Sequence, residues 1–341
     1  MKKKIPSVVP PVNAKRLGAQ ASRLLFASEA KQTRRAGEAS DFLVTGASAV
    51  ARAQQARRLR TQGMARCSLW WRSVPTLPQH KLGLIGQYEA TDDNAAATLL
   101  NRACEQLAAN GCTMAVGPMD GNTWQPYRFV TERGEEPPFF LEPNNPAAWP
   151  QHFSSNGFTP LAEYYSTMTT DLTVRDPRMD AVAERMATLG VIIRSVRLDD
   201  FATELAHLYQ VSAHAFHNNF LYTPISEADF MAQYEPIKSY VQPELVLLAE
   251  CDEQVLGFLF AVPDVLQAVR DTFIIKTVAV LPNERYAGLG SLLVARSHEI
   301  AASLGYKRAI HALMHEGNKS RRISQHYSQP LRRYVLFGKA L

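Results

Sequence analysis

The feature that most limits what this chain can fold into is the stretch LPNERYAGLGS, residues 281–291. It stands between FIIKTVAV (273–280), an apolar β-branched run, and GLGSLLVARSHEIAASLG (288–305), whose apolar residues Leu289, Leu292, Leu293, Ile300 and Leu304 recur at helical spacing. Two glycines and an arginine between a strand and a helix suit a phosphate held by backbone N–H groups at a helix N-terminus. Gly288 and Gly290 let the backbone approach a ligand without a Cβ in the way. A Walker A loop is excluded, because no G-K-[ST] is present here. A dinucleotide fingerprint is excluded as well: residue 293, where its third glycine belongs, is Leu, and the strand ends several residues too early.

Composition sets the outer limits. The chain has 341 residues, 46% of them apolar, which is enough for a sizeable core and suggests two domains. No apolar run reaches the roughly 18 residues of a membrane-spanning helix. The start MKKKIPSVVPPVNAK has a basic tip and no apolar stretch behind it, so it does not read as a secretory signal, and a cytoplasmic location is expected. Cys67, Cys104, Cys112 and Cys251 are scattered, without zinc-site spacing, which points to reduced thiols and no metal. The net charge of +5 is uneven: residues 1–66 hold 14 Lys/Arg against Glu29, Glu38 and Asp41, leaving the remainder acidic. Such an arm suits anionic lipid at a membrane surface, an acidic acyl carrier or nucleic acid by charge alone, or is a solvated leader. Its few aromatics and lack of a recognition-helix pattern argue against sequence-specific DNA reading.

Along the chain, residues 1–39 read as a basic, flexible leader. Residues 40–63 read as a helix capped by Ser40 and ended by Gly63. CSLWWRSV and KLGLIGQYEA read as strands, and NAAATLLNRACEQLAANG as a helix capped by Thr91, Asp92 or Asp93. The strand CTMAVGPMD, a Pro-rich aromatic loop (PPFFLEPNNPAAWPQHF) and the strand AEYYSTMTTDL complete a first half, 40–175. In the second half, 190–341, VIIRSVRLDD is a strand and FATELAHLYQVSAHAF a helix; a long connection holding a further short helix follows. ELVLLAE and QVLGFLFAV form a hairpin, and the strand–loop–helix unit already described comes next. The strand RAIHALM, a helix NKSRRISQHYS and a strand RRYVLFGKAL end the chain. The halves share an order of strand, long helix and strand, so an α/β fold with one structural repeat is expected.

Arg285-Tyr286-Ala287-Gly288-Leu289-Gly290 fits [RQ]-x-x-G-x-[GA] after a strand ending in V-x-V-x-P. With this loop in its strand–helix context, residues 191–341 resemble the GNAT superfamily of acyl-CoA N-acyltransferases. The resemblance implies a mixed α+β sheet, splayed and flanked by helices, in each of two tandem units. It implies acyl-CoA or acetyl-CoA as co-substrate, its pyrophosphate on the N–H groups of Tyr286, Ala287, Gly288, Leu289, Gly290 and Ser291, beside Arg285. The pantetheine arm would pair with strand positions Val278 and Val280, and Asn318 would bind it further along. The first half lacks the loop and carries Asp92 and Asp93 instead, so it resembles a degenerate unit without CoA.

The implied reaction is direct attack of a primary amine on the thioester, in a ternary complex. The resemblance offers Tyr327 as acid for the departing thiolate, at a longer spacing from Asn318 than is usual. Glu250, which ends the strand ELVLLAE, and Asp264, after FLFAVP, are the candidate bases; His311 and His315 are further ones. The acceptor is expected to be an amine on a small molecule or an amino lipid. Trp124, Phe139, Phe140, Trp149 and Phe153 either line a cleft between the halves or pack them together. The rival readings are a non-catalytic acyl-CoA regulator, a nucleic-acid-binding protein using the basic arm, and a Fem-type aminoacyl transferase, against which the intact loop argues.

Overall fold

The computed structural model describes residues 57–61, 65–317 and 328–341. Its strands form one sheet of twelve in mixed orientation. The first half supplies β1 (Arg57–Thr61), β2 (Ala65–Trp70), β3 (Leu82–Ala90), β4 (Met114–Gly117), β5 (Phe129–Glu132) and β6 (Thr159–Thr169). The second supplies β7 (Ile192–Ser195), β8 (Val246–Cys251), β9 (Gln254–Pro263), β10 (Thr272–Val280), β11 (Arg308–His315) and β12 (Gln329–Ala340). Helices α1 (Asp93–Ala109), α2 (Ala148–Ser155), α3 (Arg178–Thr188), α4 (Phe201–Ala215), α5 (Glu227–Tyr234) and α6 (Leu289–Ser303) flank it.

The spatial order is β1-β2-β3-β4-β12-β6-β11-β10-β9-β8-β7, with β5 also on β12. Two parallel pairs repeat across it, β3 with β4 and β10 with β11, each joined by a crossover helix, α1 and α6. The closing strands are exchanged. β6 ends the first half but lies antiparallel to β11 of the second, and β12 ends the second but lies against β4 of the first. β6 and β12 pair with each other along the seam.

Both sheet faces are buried, which explains the nearly continuous apolar strands. Leu247 and Ala249 of β8 face Leu289, Leu292 and Leu293 of α6, while Leu248 faces Phe201, Leu205 and Leu208 of α4. Burying each such leucine contributes roughly 1.5–3 kcal/mol. In the first half Leu99, Leu100, Ala103 and Leu107 of α1 pack on Leu69 and Ile85. Asp92 caps α1 by accepting from the Ala95 N–H at 2.9 Å, and Gly111 ends the turn at φ +76°.

Three local expectations change. Residues 57–61, read as the end of a helix, form β1, which pairs with β2 in register Leu59↔Cys67 and buries Leu59. The Ala/Arg helix propensity there yields to a hairpin partner and a place in the sheet. The aromatic loop contains α2, and the charged segment after β6 contains α3; neither begins on a side-chain cap. The rest of the 40–63 helix, the 1–39 leader and the NKSRRISQHYS helix lie outside the described residues.

Candidate active site

The sheet opens where β10 and β11 part. They pair from Thr272↔Arg308 to Ile275↔His311 and no further, while β10 continues along β9 as far as Val280↔Gly257. At the parting β10 bulges: Ile275 faces Ala261 and Thr277 faces Phe260, which leaves Lys276 as the extra residue. β11 is irregular at the same level, where its register on β6 shifts between His311 and Met314. Leu313 takes φ +61° there, and its N–H donates to Ser166 Oγ at 3.0 Å.

The gap opens into a cleft of about 1270 Å³, walled by both halves: Lys276, Thr277 and Val278 of β10, Val294 of α6, His311–His315 of β11, and Asp120, Trp124, Arg128, Glu142 and Tyr164 of the first half. Lys276 Nζ donates to the Leu141 carbonyl at 3.3 Å. Loss of water pushes its amine down to about 7, helped by the positive charge of Arg128 and opposed by Glu142. Burial pushes the Asp120 carboxyl up to about 7, although its Oδ1 accepts the Gln87 N–H at 2.6 Å. Below the cleft, Glu142 accepts from Arg332 Nε at 3.0 Å and from the Tyr334 hydroxyl at 2.8 Å, and Tyr334 meets Ser166 Oγ at 3.0 Å. Burial pushes the Glu142 carboxyl up, and Arg332 opposes the rise.

The phosphate-type loop follows the open edge of β10. Asn283 Oδ1 accepts the Arg285 N–H at 3.0 Å, in a 3-10 turn over Glu284–Tyr286. Gly288 takes φ +87°, which an L side chain rarely adopts, and Leu289 begins α6. The first bond of the helix runs from the Leu292 N–H to the Gly288 carbonyl at 3.0 Å. The N–H groups of Leu289, Gly290 and Ser291 therefore precede the helical ladder, at the positive end of its dipole. Arg185 of α3 donates to the Ala287 carbonyl and braces the loop from outside. Arg285 itself is exposed, and so are Ala287 and Gly288.

The structure thus brings Val278, the bulged Lys276, His311 and His315 together along one cleft, with Val280, Arg285 and residues 286–291 following at the end of β10. Glu250 is elsewhere: it accepts from Arg194 Nε at 2.8 Å, and the same arginine binds buried Glu204. Asp264 is buried and accepts the Phe140 N–H at 3.0 Å and the Leu266 N–H at 3.2 Å. His311 Nε2 lies 3.2 Å from His298 Nε2; burial pushes these imidazoles down to about 3 and about 4. Asn318 and Tyr327 lie outside the described residues. Trp124, Phe139 and Trp149 line the cleft, whereas Phe140 and Phe153 are buried in the two cores. Sequence reading passed over Lys276 and Arg128. A single lysine inside an otherwise apolar strand run, FIIKTVAV, was the available signal for the first.

The corresponding place in the first half is closed. β3 and β4 also part, after Leu84↔Val116, but the chain beyond β4 fills the gap: the Met119 N–H donates to the Ile85 carbonyl at 2.9 Å. A Cβ on Gly86 would stand 2.3 Å from the Met119 oxygen, so backbone already occupies that space. At the N-terminus of α1 the Asp92 carboxylate takes the place an anion would hold, and its hydrogen bond to Ala95 holds its pKa below the ordinary value. Among the described residues no group of three or more His, Cys, Asp or Glu could hold a metal ion, and no helix is long and apolar enough to cross a membrane.

Residues 205–324 match the model of the Acetyltransferase (GNAT) family. A "Bacterial ceramide synthase" from Caulobacter vibrioides (strain NA1000 / CB15N) is 26% identical over 193 residues, 55% of this chain and 50% of that protein. "Protein YghO" from Escherichia coli (strain K12) is 23% identical over 192 residues, 55% and 49% of the two chains. The chain spans about half the length of these curated relatives. Among solved structures, a fungal multi-domain GH3 beta-N-acetylglucosaminidase with a GCN5-related glucosamine N-acetyltransferase region superposes with a TM-score of 0.50 and 14% identity, over 86% of this chain and 33% of that one. That likeness is one of fold.

Proposed function

We propose that this chain, a member of the GNAT superfamily, is an acyl-CoA-dependent N-acyltransferase whose second half binds CoA and whose first half shapes the acceptor side. The observation that carries this reading is the parting of β10 from β11 directly before the helix N-terminus at residues 288–291. The loop N–H groups and the α6 dipole hold the pyrophosphate of CoA, a dipole attraction of roughly 0.3–1 kcal/mol. Beyond Ile275, no strand among the described residues lies beside β10 on the β11 side, so its backbone around Val278 and Val280 pairs with the amides of pantetheine like an added strand. This directs the thioester toward the bulge at Lys276 and the cleft. The closed gap and the Asp92 cap in the first half argue against a second CoA there.

An amine acceptor arrives protonated and must lose a proton before it attacks. Lys276, rather than Glu250 or Asp264, is placed to take it. Those two carboxylates are engaged by Arg194 and by backbone N–H groups, and the Lys276 amine is open to the cleft and neutral for part of the time at pH 7. The amine nitrogen then attacks the thioester carbonyl and the C–S bond breaks. The thiolate, with a pKa of about 8.5, takes a proton from the Lys276 ammonium or from Tyr327. The proton left on the new amide nitrogen passes through Lys276 to solvent.

The acyl chain has an apolar wall to follow. Trp124, Phe216, Tyr234, Ile237, Phe260 and Thr277 border both the cleft and a narrow apolar pocket under α4. Together with the relative named as a ceramide synthase, this favours a donor longer than acetyl and an acceptor that is a small-molecule or lipid amine.

The test is thermal stability with acetyl-CoA, palmitoyl-CoA and free CoA, on wild type and on Gly288→Glu. A ligand at about 100 times its Kd adds roughly 2.7 kcal/mol. A shift lost in Gly288→Glu supports CoA at residues 285–291, and the best chain indicates donor length. No shift with any of the three would sink the reading. A shift without CoA release from acyl-CoA in the presence of any amine would make the protein a binder of acyl-CoA and not an enzyme.

A further inference from the structure

Arg128 is a buried cation that pairs with no carboxylate among the described residues. Only 9% of the residue is exposed, yet it borders the cleft. Its guanidinium carbon lies 4.0 Å from the ring centre of Tyr127 and 4.2 Å from that of Tyr164. Nη1 donates to the Leu313 carbonyl at 3.3 Å, and the buried Nε meets no acceptor. Of the carboxylates that line the cleft, Glu142 is bound by Arg332 and Tyr334, and Asp120 accepts the Gln87 N–H. Segment 318–327, NKSRRISQHY, contains no Asp or Glu. The charge is felt through the cleft, where it helps push Lys276 and His315 below their ordinary values.

A buried guanidinium without an anion is costly. Two aromatic rings and one carbonyl return only part of that cost. The backbone adds to the cost, since Arg128 sits at φ +68°, held there by its N–H on the Pro118 carbonyl at 3.0 Å. The chain therefore keeps a strained, incompletely compensated cation at the wall of the cleft. With Nη1 occupied by Leu313, the Nε–Nη2 edge of the fork is left for a ligand.

We propose that Arg128 binds a carboxylate on the amine acceptor, so that the acceptor is an amino-acid-like molecule whose amine reaches Lys276 while its carboxylate lies on the Nε–Nη2 edge. This rests on the acyltransferase reading of the cleft. A carboxylate is the planar oxyanion that meets such an edge in two parallel hydrogen bonds. A phosphate, with three oxygens and more charge, calls for a cluster of cations, and among the described residues one guanidinium lines the cleft, with a lysine that is largely neutral above pH 7.

The experiment compares serine, ethanolamine and O-phosphoethanolamine, three amines on one 2-aminoethanol skeleton that carry a carboxylate, no anion and a phosphate. Each is tested with wild type, Arg128→Gln and Arg128→Lys by thermal shift without CoA and by CoA-thiol release with palmitoyl-CoA. Wild type is expected to be stabilised by serine and not by ethanolamine, and to favour serine at least tenfold in kcat/KM, chiefly through KM. Arg128→Gln loses the preference and, freed of the unpaired charge, melts no lower than wild type without ligand. Arg128→Lys keeps the charge without the fork, retains only part of the preference, and serves if the Gln variant does not fold. Equal responses to serine and ethanolamine, including none, overturn the proposal, as does the same preference in Arg128→Gln. Preference for O-phosphoethanolamine overturns the carboxylate assignment. A serine-specific thermal shift that depends on Arg128, with no thiol release from palmitoyl-CoA whichever amine is added, keeps the site and removes the acyltransferase reading.

Discussion

Lys276→Met separates the proton-transfer role of this lysine from a merely structural one. In the unfolded chain a lysine titrates near 10.4, and in the cleft this amine is pushed down to about 7. Between those values the unfolded state binds more protons than the folded state, so stability rises with pH across that window and is flat below it. The slope is at most about 1.4 kcal/mol per pH unit, or up to about 2.7 kcal/mol from pH 7 to pH 9. With about 0.7 kcal/mol/K of unfolding entropy for a chain of this size, that corresponds to ~4 °C in Tm. Lys276→Met, which replaces the amine by an apolar chain of similar length, should lack this slope and melt higher than wild type at pH 7. Its turnover should fall by a factor of about 100 or more, in the range for a general base. The wild-type rate should drop below pH 7 as Lys276 becomes charged, and the variant should lose that acid limb. Lys276→Arg, charged at every pH, should be as slow as the Met variant. The assays are melting curves from pH 6 to 9 and CoA-thiol release over the same range. An unchanged acid limb in Lys276→Met, or full activity in Lys276→Arg, would refute the role. Equal Tm slopes in wild type and variant would show that the amine is not desolvated.

Other consequences are open to direct measurement. Gly288→Ala puts a Cβ 3.2 Å from Val182 Cγ2 at φ +87°; urea unfolding should show a loss of about 1 kcal/mol or more, and the CoA-induced shift should shrink. His298 and His311 have folded pKa values of about 4 and about 3, below the unfolded value, so stability should fall as pH drops from about 6.5 to 4. His298→Leu should make that acid limb shallower by at most about 1.4 kcal/mol per unit, and a limb of unchanged steepness would count against the pair. Arg332→Met strands buried Glu142 and should cost about 3–5 kcal/mol in denaturant unfolding, while Arg332→Met with Glu142→Leu should recover much of it. A double variant no more stable than the single one would show that the pair itself, and not the stranded charge, matters.

What was legible in the sequence was local. The unit from β10 through α6 could be read because its signals are adjacent: a β-branched run, a loop with Gly288 and Gly290, and apolar residues at helical spacing. Asp92 as a cap and Gly111 as a stop were legible for the same reason. α2 and α3 were hidden because Ala147 and Pro177 precede them without a side-chain cap, so no start signal exists to be read. β1 was misread because an Ala/Arg run has helix propensity, and only its pairing with β2 outweighs that. The candidate site was half legible. The glycine loop came from a motif, but Arg128 depends on Leu313, 185 residues away, and on a positive φ that no local pattern announces. Glu250 was attractive as a strand-end carboxylate, and its partner Arg194 lies 56 residues earlier, beyond the reach of spacing arguments.

The exchange of closing strands is the least legible feature and the one that explains the cleft. β6 belongs by sequence to the first half, yet its register with β11 sets the irregularity at His311–Met314 that faces the bulge at Lys276. β12 belongs to the second half, yet it carries Arg332 and Tyr334 beneath Glu142, a residue of the first. Each half therefore supplies the floor under the other half's candidate site residues. Two independent units joined by a linker would leave their relative position soft, and an acceptor held at Arg128 would have no fixed distance to a thioester held along β10. The shared sheet removes that freedom. Arg128, directly before β5, and Lys276 on β10 are tied through β12, β6 and β11, which are hydrogen-bonded neighbours in one sheet. Such rigidity is what direct attack needs, because the reacting atoms must be held together without a covalent intermediate to keep them in place.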